Sequence, residues 1–176
     1  MSGGPWVFDP DQGKPKPEPT IRWDDEDDAQ LDAAWTQLSA NVRNKRPDVT
    51  LDGVLVEKMG APGLEMVVGA KRDPNWGPVL LVGLGGVWIE ALGDVRLLPV
   101  DLTADQIAAE IRKLKGAKLL DGMRGQPKAD IGAVAQVAAK VAALMAARPE
   151  IAEIDINPLV AHASGAVALD VLIVSK

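Results

Sequence analysis

KRDPNWGPVLLVGLGGVWIE, residues Lys71 to Glu90, is the stretch from which the fold is read. It opens with an Arg72-Asp73 pair and a turn bounded by Pro74 and Pro78. The apolar run Val79 to Leu84 that follows is short enough for a buried strand, and Gly85-Gly86 separates it from a second apolar run. A strand ending in paired glycines leaves backbone N–H groups that no Cβ covers, where a phosphate can approach. The same glycines also make an ordinary tight turn, and spacing alone leaves both readings open. GLGGVW lacks the third glycine of G-x-G-x-x-G, and no G-K-[ST] follows it.

Outward from this stretch the pattern alternates strands with helices. Val54–Met59 and Leu64–Ala70, separated by Gly60-Ala61-Pro62-Gly63, predict a β-hairpin. Val95–Leu98 before Pro99 predicts a further short strand. Leu31, Trp35, Leu38 and Val42 recur at helical spacing between Ala29 and Asn44, with acids before them and Arg43, Lys45 and Arg46 after; Pro47 stops that helix. Thr103 and Gln106 form a capping box for a helix running to about Lys115 and ending at Gly116. A loop from Leu119 to Gly125 carries Arg124. Asp130 caps an Ala- and Val-rich helix, Ile131–Ala147, suited to close packing on a sheet. Residues 1–28 are Pro-rich and close on the acids Asp24–Asp28, so they are expected as an extended arm pinned by Trp6, Phe8 and Trp23. The expected fold is α/β (α+β): one domain over residues 29–176 with a mainly antiparallel sheet and its helices on one side.

Composition narrows the function. The chain of 176 residues is 47% hydrophobic and 25% charged, as in a soluble globular domain. Its net charge of −6 gives no reason to expect nucleic acid or an anionic membrane as partner. Cysteine is absent, which removes disulfides, thiolate metal sites and Cys nucleophiles, and any metal must be held by oxygen, as magnesium, manganese or calcium are. The first residues do not read as a signal peptide and no apolar run reaches membrane-spanning length, so a cytoplasmic location is expected.

The last segment, Ile151–Lys176, reads as a hairpin turning near Ala163-Ser164-Gly165. Glu153, Asp155 and Asn157 alternate with Ile154 and Ile156, so the three polar residues share one face. A turn centred between Ala163 and Ser164 sets Asn157 opposite Asp170, with Cβ atoms roughly 4.5–5.5 Å apart. A turn centred on Ser164-Gly165 sets Asp170 opposite Leu159 instead, with the same facing. Oxygen side chains paired across strands can hold a divalent cation that also grips phosphate, and equally they can form a solvated sheet face. Glu57 and Glu65 are candidate acceptors for a ribose or an amine, or exposed acids. Lys71, Arg72 and Arg124 flank the loops as candidate phosphate contacts, and His162 reads as a solvated loop residue.

The order of these motifs is more specific than any one of them. VLVEKM, RDPNWGPVLLVGLGGVWIE, LLDGMRG, EIDINPLV and a final Asp170 together resemble the nucleoside-diphosphate-forming acyl-CoA synthetases, and in particular the C-terminal half of the ATP-grasp domain in the β subunit of ADP-forming acetyl-CoA synthetase. The resemblance covers roughly residues 50–176 and implies ATP or ADP and Mg2+ as cofactors. It also implies a reaction interconverting acyl-CoA, phosphate and ADP with acid, CoA and ATP through a phosphohistidine on another domain or subunit. It places Glu57, Lys58 and Met59 along the adenine edge and Glu65 at the ribose. Arg72, Asp73, Gly85, Gly86 and Glu90 fall near the phosphates, and Asn157 and Asp170, with Asp155 beside them, at magnesium.

Three departures accompany it. Residues 1–50 show no counterpart of the first ATP-grasp lobe, the phosphorylated histidine has no match in His162, and Asp170-Val171-Leu172 stands where the family tends to Asp-Ala-Arg. The expected function is therefore the nucleotide- and magnesium-binding component of an acid–thiol ligase, inactive alone and completed by partner subunits or domains. The alternative is a non-catalytic ATP-grasp-derived module that docks on a partner subunit.

Overall fold

The computed structural model describes residues 20–23, 28–51, 53–86, 93–123 and 127–176. They fall into two compact units, Met1–Ala61 and Pro62–Lys176. Residues 1–19 of the expected arm, the acids at 24–27, Glu90 and Arg124 lie outside the described residues.

The first unit holds β1 (Thr20–Trp23), α1 (Asp28–Lys45) and β2 (Leu55–Lys58). β1 and β2 pair in parallel, from Thr20↔Leu55 to Trp23↔Lys58. Asp28 in the first turn of α1 and Arg43 and Lys45 in its last complement the helix dipole. Beyond Pro47 the chain is held by a forked ion pair, Arg46 Nη2 to Asp48 Oδ2 at 2.8 Å and Nε to Oδ1 at 3.0 Å. The apolar stripe predicted on α1 forms, yet none of its residues is buried and Trp35 stays 46% exposed.

Two expectations change here. Thr20–Trp23, assigned by composition to the arm, is a strand. The hairpin predicted between Val54–Met59 and Leu64–Ala70 does not form: β2 pairs with β1, and the second run joins a different sheet. Gly60–Gly63 spans the boundary between the units, and a turn-forming tetrapeptide reads the same whether it reverses a hairpin or links two bodies.

The second unit runs β3 (Leu64–Asp73), β4 (Gly77–Leu84), β5 (Val95–Pro99), α2 (Ala104–Ile111), a 3-10 turn (Ala117–Asp121), α3 (Ile131–Ala147), β6 (Ile151–Ala161), β7 (Ala166–Ala168) and β8 (Val171–Ser175). The sheet order is β5-β4-β3-β6, with β7 and β8 sharing the other side of β6, and every pairing is antiparallel. Period-2 alternation sends Met66, Val68 and Ala70 of β3, Leu80, Val82 and Leu84 of β4, and Ile154 and Ile156 of β6 into one buried core. Ile107 and Ile111 of α2 and Ile131, Val134, Ala138, Val141 and Met145 of α3 complete it. The small alanines of α3 bring it close to the sheet. Truncating a fully buried member such as Leu80 to Ala would cost about 2–5 kcal/mol.

The capping box of α2 is present: Gln106 N donates to Thr103 Oγ1 at 3.3 Å and Thr103 N to Gln106 Oε1 at 2.8 Å. The helix ends at Ile111, earlier than predicted, because Asp94 draws the following turn inward. Its buried carboxylate accepts from Lys115 N at 2.9 Å and Gly116 N at 2.7 Å. A Cβ on Gly116 would run into the buried Leu84 side chain, which would have to shift.

Candidate functional site

Gly85 and Gly86 follow β4 and return beside the start of β3. Gly85 N donates to Glu65 O at 2.8 Å, and a Cβ on Gly85 would lie 3.1 Å from backbone atoms of Glu65 and Met66. Gly86 has φ +57, and a Cβ there would stand 2.5 Å from Glu65 Oε2. The paired glycines thus admit the close approach of β3 and set the Glu65 carboxylate against the loop. Of the two amides, that of Gly85 serves strand pairing.

On β6, Met66↔Leu159 is followed by Val68↔Ile156, so Asn157 and Pro158 together oppose Val67 in a bulge, and the Asn157–Pro158 peptide is cis. The extra residue moves the core phase from Ile154 and Ile156 to Leu159 and Ala161. His162 N donates to Gly165 O at 3.0 Å, which centres the turn between Ala163 and Ser164, the first of the two registers considered. Asn157 accordingly faces Asp170, its N–H donating to Asp170 O at 3.2 Å. The returning arm is split at this point into β7 and β8. Both side chains are exposed.

Asp155 lies opposite Gly69 on β3, and its Oδ1 would be 3.6 Å from a Cβ placed there, so its carboxylate points away from the helices. Burial pushes its pKa above the usual aspartate range, and the negative charges of Glu153 and Asp170 push it further. Lys71 Nζ pairs with Glu153 across the strands at 3.2 Å. Among the described residues no group of three or more acidic or His side chains is close enough to hold a metal by itself. Asn157, Asp170 and Asp155 instead offer hard oxygen donors in a locally over-negative patch, which fits a divalent cation sharing its shell with phosphate.

The structure separates the other half of the glycine motif from this end. β3 carries Glu65 near its start and Asp73 at its finish, roughly 27 Å away at strand rise. Asp73 Oδ1 accepts from Asn75 N at 2.8 Å and Trp76 N at 2.9 Å, shaping the β3–β4 turn. Arg72 donates to the carbonyls of Met145, of Arg148 at 2.9 Å and of Ile151 at 2.9 Å, capping the end of α3. Arg72 and Asp73 are thus not brought together with Gly85 and Gly86, because the antiparallel hairpin puts its turn at one end and its open ends at the other. Glu57, Lys58 and Met59 end and follow β2 in the first unit, whose described pairing is with β1 alone. Asp94, which the sequence reading did not single out, anchors the entry to β5; an acid between Gly93 and an apolar strand was its only sequence signal.

A family model described as ATP-grasp domain matches residues 20–174. The chain belongs to the ATP-grasp family. The match takes in β1, α1 and β2, so residues 20–50, for which the resemblance offered no counterpart, lie inside the ATP-grasp region. A trans-feruloyl-CoA synthase FCS1 from an unknown prokaryotic organism is 43% identical over 147 residues, covering 82% of this chain and 21% of its own. The acetate–CoA ligase (ADP-forming) I subunit beta of Pyrococcus furiosus is 38% identical over 143 residues, covering 81% and 62%. A structure of the Ca. Korarchaeum cryptofilum acetyl-coenzyme A synthetase 1 matches with TM-score 0.70 at 30% identity, over 85% of this chain and 65% of that one. It contains coenzyme A and Mg-AMPPCP, with a phosphohistidine segment pointing towards the nucleotide-binding site. These relatives are thus acyl-CoA synthetases and ligases, the Pyrococcus furiosus one ADP-forming, in line with the motif order, and this chain spans under two thirds of each of the three. No helix among the described residues is long and apolar enough to cross a membrane.

Proposed function

We propose that this chain is the nucleotide- and magnesium-binding component of a cytoplasmic ADP-forming acyl-CoA synthetase, working with domains or subunits that carry the phosphohistidine and the CoA site. The observation that carries the reading is the gathering of Glu65, Gly85 and Gly86 on β3 and β4 at the same end of the sheet as Asn157 opposite Asp170. Glu65, whose carboxylate lies beside Gly86, accepts from a ribose hydroxyl. Asn157 and Asp170 hold magnesium with Asp155 behind them, and the ion, when bound, neutralises phosphate charge. Burial first, then the charges of Glu153 and Asp170, raise the pKa of Asp155, and a cation bound beside it would relieve that crowding of negative charge. The adenine edge assigned to Glu57, Lys58 and Met59, and the phosphate contact assigned to Glu90, rest on the resemblance alone. Arg72 and Asp73 act on the phosphates only indirectly, through the hairpin and helix they fasten. Selection of the acid belongs to the other domains.

Thermal denaturation with and without ADP or ATP plus Mg2+, for the native chain and Asp170→Asn, tests this. Ligand at a hundred times its Kd would add about 2.7 kcal/mol to the native chain and much less to the variant. No rise in the native chain counts against nucleotide binding. Binding without acyl-CoA formation after addition of a histidine-bearing subunit points to the non-catalytic module.

A further inference from the structure

We propose that two copies of this chain associate through β8, their strands running antiparallel about a two-fold axis at Ile173. Among the described residues β8 pairs on one side only, with β6. Two hydrogen bonds bracket the strand and fix which way its backbone groups point. Asp170 O accepts from Asn157 N at 3.2 Å, and Lys176 N donates to Glu150 O at 2.9 Å. With antiparallel alternation, residues 170, 172, 174 and 176 direct their backbone groups toward β6, so Val171, Ile173 and Ser175 present theirs outward.

A two-fold axis at Ile173 matches those outward groups to one another, Ile173 with Ile173 and Val171 with Ser175 on either side. The same register sets Asp170 opposite the second copy's Lys176, and does so twice. Slipping by two residues removes one of the three bonded pairs and separates Asp170 from Lys176. Side chains favour the same occupant: Val171, Leu172, Ile173 and Val174 are 49%, 57%, 53% and 40% exposed, an apolar run that the same run of a second copy would flank side by side.

The opposite edge of the sheet is protected and this one is not. β5 carries Arg96, ion-paired to Glu110 at 2.5 Å, and ends in Pro99, both devices that discourage strand addition. Val171–Ser175 contains neither charge nor proline.

Sedimentation velocity of the full chain over a wide concentration range is the test. The native chain should form a dimer with concentration. Ile173→Pro removes the outward N–H at the axis and leaves the bonds to β6, so it should be monomeric with near-native thermal stability. In the absence of Mg2+ and nucleotide, which would otherwise engage Asp170, Lys176→Glu should weaken the dimer at least tenfold, and adding Asp170→Lys to it should restore association. Should the proline variant not fold, that charge pair decides. The chain has no cysteine, and bonded cross-strand Cα atoms lie about 5.5 Å apart, so Ile173→Cys should form a disulfide dimer faster than Val167→Cys. A native chain monomeric throughout, or a dimer indifferent to Ile173→Pro and Lys176→Glu, overturns the proposal.

Discussion

Glu65 and Gly86 are fitted to each other so closely that a Cβ on the glycine would stand 2.5 Å from the carboxylate oxygen Oε2. Spacing alone left Gly85-Gly86 as either a tight turn or a bare-backbone approach for phosphate. Their geometry joins the two, since Gly85 makes room for β3 and Gly86 makes room for the Glu65 carboxylate.

Gly86→Ala carries two penalties. The φ of +57 costs a residue with a Cβ about 1–2 kcal/mol, and the Glu65 carboxylate must swing aside. Gly77→Ala, with φ +74 and nothing within 4 Å of the new Cβ, carries only the first. Gly86→Ala should lose at least as much stability in urea as Gly77→Ala, and only Gly86→Ala should weaken ADP binding severalfold. Equal ADP affinity in the two variants would remove Glu65 from the nucleotide site.

Arg72→Ala separates a helix-anchoring role from direct phosphate contact. The guanidinium satisfies three carbonyls at and beyond the end of α3, and its loss should cost about 2–3 kcal/mol in denaturant unfolding. Arg72→Lys, which has no planar fork, should recover only part of it. ADP affinity of the folded protein should stay near native. Unchanged stability with lost affinity would reverse the assignment.

Where local chemistry determines a feature, the sequence was sufficient to predict it. The Thr103–Gln106 capping box and the Asp130 cap follow from residue types a few positions apart, whereas the Asn157–Asp170 pairing is one of two registers the sequence leaves open, and the turn between Ala163 and Ser164 selects it. Partners distant in sequence were not legible. Gly60–Gly63 suggested a hairpin because nothing in β2 names β1 as its partner. Arg72 and Asp73 adjoin Gly85 in the motif but not in space, since they lie at the turn of the hairpin and Gly85 at its open end, the length of β4 away. Asp94 gained meaning only when Lys115 and Gly116 arrived beside it.

Asp130 ties the start of α3 to the turn after β6, accepting from Gly165 N at 2.8 Å and Ala133 N at 3.0 Å. These N–H groups, that of Gly165 foremost, hold its pKa below the ordinary 3.8. A depressed acid stabilises the fold above its unfolded pKa, and that contribution disappears as pH falls through the lower folded value. Asp130→Ala should therefore melt below the native protein at neutral pH. The gap should be constant down to about pH 4 and narrow only below it. A gap independent of pH throughout the acid range would mean the carboxylate charge plays no part.

Asp155 has the opposite sign. Burial first, then Glu153 and Asp170, raise its pKa above 3.8, so the folded chain holds that proton more tightly than the unfolded one. Stability is thus lost as pH rises from the unfolded pKa through the raised folded value, and ionised Asp155 is a net cost at neutral pH. Asp155→Asn should remove that cost, giving a melting temperature at pH 7 equal to or above native and no such advantage at the acid end of the range. A bound cation relieves the same repulsion, so adding Mg2+ with ADP should raise the melting temperature of the native chain more than that of Asp155→Asn. The two effects must appear together, because both come from one crowded set of negative charges. A variant less stable than native at pH 7, with an undiminished response to Mg2+ and ADP, would mean that Asp155 stands apart from the metal site proposed at Asn157 and Asp170.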